Sequence, residues 1–407
     1  MPEIDFMHKT ELDKIFVALV KTLDITETQF NNLSKSYNAV GRFLESDPVF
    51  ASFHPVVSPQ GSLRLGTIIQ PINEGDDLDV DLVYRLLGKY ERWTQYDIKK
   101  LVGDRLKSHG TYSKMLDDEG RRCWTLLYRQ DSDDATEHYH MDILPCVADK
   151  EHNNNVQRAL AMDYSSDTVK RIAINITDKK AVDYHTSTNT ESWLKSNPDG
   201  YAIWFASRCK NTPYVRESVM NAIMPIGRYT KEKTTLQRIV QLLKRHRDIM
   251  FGYDEDKPIS IIITTLAGHS YNGETCLLDG LCNVIDKMEQ HIHADNSGRC
   301  VISNPVNSKE NFADKWVEHP KRKENFFMWL RSLKTLKAKL REVKGLQLRE
   351  TLSNTFGRKP VEKVFSEQVI RHKDEASQGK LKVAASTGIL GSIGKTLNAN
   401  NTFFGEE

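Results

Sequence analysis

The sequence predicts an α+β chain in which a half of mixed strands and helices precedes a half built mainly from helices. Two observations carry this. Leu78, Val80 and Leu82 alternate with Asp77, Asp79 and Asp81, a period of two that describes a strand with one acidic face, and a second alternating strand runs from His138 to Leu144, with Pro145 expected to stop it. Beyond Ser196-Asn197-Pro198 the strand signal fades, and apolar residues recur at three-to-four spacing over 201–208, 234–249, 259–269, 277–293 and 324–352. The expected organisation is a core with N-terminal helices over 1–197, a helical domain over 198–376 and a flexible tail over 377–407.

Each element has a local reason. The first fifty residues read as two helices, and Thr26 with Gln29 three residues later fits a capping box at the start of the second. After Pro55 and Pro59 comes the acidic strand, then a helix over 97–110, a strand over 123–129, an acidic loop over 131–137, the second alternating strand and a further strand over 169–176. The tail is rich in Gly, Ser, Asn and Ala and poor in large apolar side chains, which leaves little to bury.

Composition narrows the function classes. The chain has 407 residues with 57 Lys+Arg against 55 Asp+Glu, a net charge of +2, which argues against a uniformly basic nucleic-acid coat. No apolar run approaches the ~18 residues of a membrane span, and the N-terminus carries acids where a secretory leader needs a basic start. The expectation is a cytoplasmic protein without a membrane partner. The 6 cysteines form no close C-x-x-C pair and read as reduced thiols.

The residues able to do chemistry cluster in Gln60-Gly61-Ser62 and Asp77-Leu78-Asp79-Val80-Asp81. Gly61 lets the backbone approach an anion, and Ser62 offers a hydroxyl and an N–H. Carboxylates two apart on a strand point the same way and repel each other unless a cation neutralises them. Asp142, on the second alternating strand, supplies a third acid with the same pattern. Three such acids can hold two Mg²⁺ ions, which in two-metal sites lie about 3.5 to 4 Å apart. The bland alternative is the solvated face of an edge strand; the Gly-Ser pair upstream and the matching third acid weigh against it.

In order and spacing, Gly61-Ser62, Asp79-x-Asp81 and Asp142 resemble the DNA polymerase β-like nucleotidyltransferases. The fuller run QGSLRLGTIIQP, DDLDVDLVYRL and YHMDILPCV, followed by SNPDGYAIWF and LQRIVQLLKRHRD, is similar to the bacterial cGAS/DncV-like nucleotidyltransferases (CD-NTases) of CBASS anti-phage defence. The resemblance covers most of 50–270. It implies a polymerase β-like core, a mixed sheet with flanking helices, and a C-terminal helical domain of the oligoadenylate-synthetase type. It further implies a synthase that joins ATP and other nucleoside triphosphates into a cyclic di- or trinucleotide, releasing pyrophosphate, with two Mg²⁺ or Mn²⁺ ions and no need for nucleic acid. Asp79 and Asp81 would bind both metals, and Asp142 would complete the inner ion and help deprotonate the acceptor hydroxyl. Gly61 and Ser62, with Gln60 beside them, would hold the donor phosphates, and Lys244 and Ser260 would serve the donor triphosphate from the helical half. Asp77 shares the acidic face and could substitute; Asp79 and Asp81 are preferred because the family pattern has apolar residues before and after the pair. Two other readings remain: an RNA-modifying or linear oligoadenylate-forming enzyme, and a catalytically silent nucleotide- or protein-binding module.

Weaker features complete the reading. Lys244 borders, and Arg247 falls within, the apolar stripe of Leu236, Ile239, Val240 and Leu243, where a cation wants an acid or a phosphate unless its stem snorkels to solvent. His138, His140 and Asp142 could ligate zinc, as could Cys276, Cys282, His291 and His293, although the latter spacing fits no ordinary finger and core thiols are preferred. The stretch 315–349 holds 11 Lys+Arg against 3 Asp+Glu and reads either as a nucleic-acid or membrane surface or, preferably, as the solvated face of a helix. The terminal NANNTFFGEE, with two aromatic residues in a polar segment, suggests a docking peptide. In some defence nucleotidyltransferases of this kind a conjugating or regulatory enzyme acts on the tail, although this chain ends in Glu407 rather than Gly.

Overall fold

The computed structural model describes residues 6–73, 76–129, 132, 138–152, 154, 172–209, 229, 231–377, 382–384, 389–391 and 396–397. They form two compact units, one comprising 25–237 with 301–314 and the other 1–24, 238–300 and 315–407.

The chain opens with α1 (Phe6–Thr22) and α2 (Glu27–Glu45), the latter closed at its start by the Thr26–Gln29 capping box. Then come β1 (Val56–Pro59), the short α3 (Gly61–Arg64), β2 (Leu78–Leu86), α4 (Gln95–Lys107) and α5 (Tyr112–Met115). Strands β3 (Trp124–Tyr128), β4 (Tyr139–Ala148), β5 (Ile174–Ile176) and β6 (Leu194–Ser196) lead to α6 (Pro198–Arg208). The sheet runs β1-β2-β4-β5-β6 with β3 also on β4. Among the described residues β2 and β4 pair in parallel, and β1 with β2, β3 with β4, β4 with β5 and β5 with β6 are antiparallel.

Period-two alternation gives the sheet two unlike faces. Leu78, Val80, Leu82, Tyr84 and Leu86 of β2 join Leu33, Tyr37, Val40 and Leu44 of α2 and Ile98, Val102 and Leu106 of α4 in one buried cluster. Burying each aliphatic side chain of this kind contributes about 1.5–3 kcal/mol. On the opposite face Val83, Leu144, Cys146, Ala148, Ile174 and Ile176 form a smaller cluster, and the acidic residues of β2 and β4 share that face.

The other unit is helical: α1, most of α7 (Thr235–Phe251), α8 (Ser260–Ser270), α9 (Leu277–Lys287), α10 (Pro320–Lys339), α11 (Gly345–Phe356) and α12 (Arg358–Ser377). The hairpins β7 (His293–Ala294) with β8 (Cys300–Val301), and β9 (Ser303–Asn304) with β10 (Asn307–Asn311), interrupt it, the second belonging to the sheet-bearing unit.

Several expectations are corrected. Strand β4 does not stop at Pro145 but runs to Ala148. The Pro145 carbonyl accepts from Thr177, and the N of a strand residue faces the same side as its carbonyl. The missing N–H therefore lies past the end of β3, which stops opposite Ile143, and just outside the β4–β5 ladder, whose last pair is Cys146 with Ile176, so at most one bond, to Thr177, is forgone and the strand continues. The expected boundary at 197/198 lies inside a unit, because α6 is held to the sheet by Asp199. Helix α1 belongs with the helical unit, where Phe16 meets Phe356 edge-on at 5.8 Å and Asp13 accepts from the Leu278 N–H at 2.9 Å. An amphipathic pattern states that a helix buries one face, not against which neighbours.

The expected helix over 324–352 is two helices broken before Gly345, which has φ 53°. The helix expected over 277–293 ends as α9 at Lys287, followed by a 3₁₀ turn. The segment expected to be a flexible tail contains a three-stranded antiparallel sheet, β12 (Ile389–Gly391), β11 (Lys382–Ala384) and β13 (Thr396–Leu397), in which Val383 pairs with Leu390 and Thr396. Short aliphatic and β-branched runs between Gly, Ser and Asn suffice for pairing without a large core. The terminal aromatic motif, most of the acidic loop over 131–137 and the first part of the strand expected over 169–176 lie outside the described residues.

Candidate active site

The parallel register sets Asp81 opposite Asp142 and Asp79 opposite His140. All three acids therefore lie on one face, spread over two adjacent strands, while their neighbours Leu78, Val80 and Leu82 are buried on the other. Asp79 is exposed, and Asp81 and Asp142 are half-buried. On the antiparallel side of β4, Thr125 is the register partner of Asp142 and its hydroxyl donates to Asp142 Oδ1 at 2.5 Å. A hydrogen bond to a charged group of this kind is worth about 1.5–3 kcal/mol and fixes the carboxylate's rotation. Burial pushes the Cys123 thiol up to about 12, and the charges of Asp142 and Asp81 add to the shift.

The Gly61–Ser62 turn is built against this pair. Strand β1 delivers Gln60, whose N–H donates to the Asp81 carbonyl at 2.8 Å. Gly61 has φ 61°, and a Cβ there would collide with the Asp81 carboxylate. Both the left-handed conformation and the missing side chain are therefore required. The turn closes when the Thr67 N–H donates to the Ser62 carbonyl at 2.9 Å. Gly66, at φ 67°, ends it against Gln237, whose amide donates to the Leu65 carbonyl at 2.9 Å while its own position is fixed by a reciprocal cap with Thr234. Arg64 turns away from solvent to pair with Asp199.

Asp77 is otherwise engaged: its carboxylate takes His140 Nε2 and lies 3.8 Å from His138 Nδ1. Asp76 accepts from the Asn73 N–H at 3.3 Å. Among the described residues no three His, Cys, Asp or Glu side chains converge on a ready-made metal cage, the two zinc arrangements included. Cys276 instead donates to Asp13 at 3.2 Å, and His291 stacks on His269 at 5.3 Å. The carboxylates of Asp79, Asp81 and Asp142 nonetheless fit Mg²⁺ by donor chemistry. They are hard oxygens crowded on one face, and Mg²⁺ leans on one or two carboxylates, completing its octahedron with water and substrate phosphate.

In the helical unit Lys244 is buried on α7, and Arg247, one turn on, donates from Nη1 to Ser260 Oγ at 2.9 Å and to the Pro258 carbonyl at 3.1 Å, and from Nε to Asp248 at 2.7 Å. Arg247 thus does not snorkel to solvent, and Ser260, which opens α8, is its acceptor. The basic stretch resolves in favour of the solvated-face reading. Phe326, Trp329, Leu330, Leu333 and Leu336 are buried, while Arg322 pairs with Asp256, Lys334 with Glu289 and Lys337 with Asp286. Sequence reasoning missed Thr125, Gln237, Arg64 and Asp199, whose roles depend on pairing partners 17 to 172 positions away.

Residues 11–167 match the Second Messenger Oligonucleotide or Dinucleotide Synthetase (SMODS) domain. A c-di-GMP synthase of Roseivirga ehrenbergii is 29% identical over 411 residues, covering 98% of each chain. Among solved structures, the CD-NTase CdnG of Bradyrhizobium diazoefficiens, bound to GTP, aligns over 88% of this chain and 99% of its own with a TM-score of 0.63 at 19% identity. Vibrio cholerae DncV, a cyclic AMP-GMP synthase bound to its linear intermediate, aligns over 86% and 87% with a TM-score of 0.51 at 16% identity. With the SMODS match over residues 11–167, a relative similar along its whole length and a fold shared with CdnG and DncV, this chain is a nucleotidyltransferase enzyme similar to the cGAS/DncV-like nucleotidyltransferases (CD-NTases).

Proposed function

We propose that the enzyme joins nucleoside triphosphates into a cyclic di- or trinucleotide second messenger, releasing pyrophosphate at each step. The observation that supports this best is the convergence of Asp81 and Asp142 in register with the Gly61–Ser62 backbone closed onto Asp81. Asp79, Asp81 and Asp142 would hold two divalent cations, Mg²⁺ or Mn²⁺, which when bound neutralise triphosphate charge and lower the pKa of an attacking hydroxyl. The chain's own part is positioning. Asp142, oriented by Thr125, stands ready at its oxygen to accept the acceptor hydroxyl's proton, and the Gly61–Ser62 turn presents backbone N–H and hydroxyl to the donor's phosphates, with Gln60 fixing the turn to β2. Lys244 and Ser260 are proposed as nucleotide-binding residues of the helical unit.

The full-length likeness to a c-di-GMP synthase makes GTP the first substrate to test. A role in anti-phage signalling, a cytoplasmic location and modification of the tail by a conjugating or regulatory enzyme are proposed on the family resemblance alone. No helix among the described residues is long and apolar enough to cross a membrane. Incubation of the protein with all four NTPs and Mg²⁺, followed by phosphatase and mass measurement, is expected to leave a phosphatase-resistant cyclic product without added nucleic acid. A ladder of linear oligomers, or dependence on RNA, would favour the other enzymatic reading.

A further inference from the structure

We propose that Arg64 and Asp199 form a buried anchor that orients the Gly61–Ser62 turn, which makes Arg64 a positioning residue for the triphosphate. This rests on the reading above that the turn takes the donor's phosphates. Arg64 closes α3 two residues after Ser62, yet its side chain is only 2% exposed. A guanidinium so near a phosphate-binding turn could face the phosphates; instead it runs inward to Asp199 Oδ1, with a longer contact of 3.4 Å to the Pro59 carbonyl at the end of β1.

Asp199, in the first turn of α6, is 5% exposed, and its other oxygen accepts from Arg85 Nη1 at 3.0 Å and lies 3.1 Å from Nε2 of the fully buried His152. Arg85 stands on β2 four residues after Asp81, on the same face of the sheet. A single carboxylate therefore ties the turn to the strand that carries the acids. Burial alone would raise the Asp199 pKa; the charge of Arg64, the hydrogen bond from His152 and the charge of Arg85 outweigh it and hold the group well below the ordinary carboxylate range, so it stays ionised. Buried ion pairs add little net stability compared with apolar packing, and their best-attested use is to fix one arrangement among alternatives. Here the arrangement fixed is the angle at which a short, glycine-flanked turn meets β2.

The test compares Arg64→Met, Arg64→Lys and Asp199→Asn with the wild type, measuring binding of GTP and GMP as well as turnover. Arg64→Met leaves Asp199 paired with Arg85 and His152, so folding should persist with a thermal midpoint near that of the wild type. GTP affinity should fall about tenfold with GMP affinity unchanged, because only the longer phosphate chain reads the turn. Arg64→Lys should recover part of the loss, since the ammonium keeps the charge but not the planar fork. Asp199→Asn should weaken GTP in the same way, although Arg64 is retained. Undiminished GTP binding in Arg64→Met, equal losses for GTP and GMP, or undiminished GTP binding in a folded Asp199→Asn variant, as direct phosphate contact by Arg64 would give, would overturn the anchor. Binding is read independently of turnover, so a wild type that binds GTP without making product counts against the proposed reaction and not against the anchor.

Discussion

Thr125 shows how much of the site's chemistry is set by single side chains that the sequence does not advertise. It sits at an alternating position of a short strand, and only the antiparallel register with β4 brings its hydroxyl to Asp142. Replacing it with valine keeps the shape and removes the bond, leaving the carboxylate free to rotate. Thr125→Val is expected to weaken apparent Mg²⁺ dependence or turnover by about 10- to 100-fold, the usual effect of losing a group that orients a ligand, with little change in melting temperature. A Mg²⁺ titration of initial rates measures this, and wild-type behaviour would remove Thr125 from the site. The three aspartates themselves were legible because period two and charge crowding are local properties. Their mutual placement was not, since it depends on which strand lies beside which.

At the scale of elements, the Thr26–Gln29 capping box and the strand alternation match the structure, while the long helical stripes locate helices but miss their breaks after Lys287 and before Gly345. The misread boundaries share a physical cause. Pro145 reads as a stop because its missing donor is a local fact, whereas its place at the margin of two ladders, where at most one bond is forgone, is a property of the sheet. Helix α7 illustrates the converse, a buried polar group hidden inside a good amphipathic pattern. His246 is 4% exposed, with its ring 6.4 Å from those of both Trp329 on α10 and Phe356 on α11, and Ser332 Oγ at 3.3 Å from Nε2. Burial lowers its pKa to about 4. The unfolded chain takes up this proton near pH 6.5 and the folded chain only near 4, so the group's contribution to stability is complete above about 6.5 and is lost as the pH falls toward 4. Over that window the loss should amount to about 2–3 kcal/mol. Denaturant unfolding against pH should show a shallower acid limb in His246→Phe; an unchanged limb would show that the ring does not titrate as a buried group.

Taken as a whole, the near-zero net charge of +2 conceals opposed local fields. Acids crowd one face of a parallel strand pair, where neighbours across a low-dielectric sheet repel unless cations intervene, and many surface lysines and arginines of the helical unit pair with acids of that unit. The change in periodicity predicts a division of the chain, yet the lines between the two compact units fall elsewhere. Helix α1 leaves its sequence neighbours, and α6 stays with the sheet through a buried carboxylate. Those are long-range pairings, the part of a fold that periodicity does not encode. The central claim is that the acids brought into register by β2 and β4 are catalytic, and the most direct measurement is product formation by Asp142→Asn alongside the wild type, with folding checked by circular dichroism and thermal unfolding. A folded variant whose yield of cyclic product drops by about a thousandfold or more is the predicted result, since a positioned charge of this kind commonly carries that much of the rate. Substantial synthesis by the folded Asp142→Asn variant would contradict it.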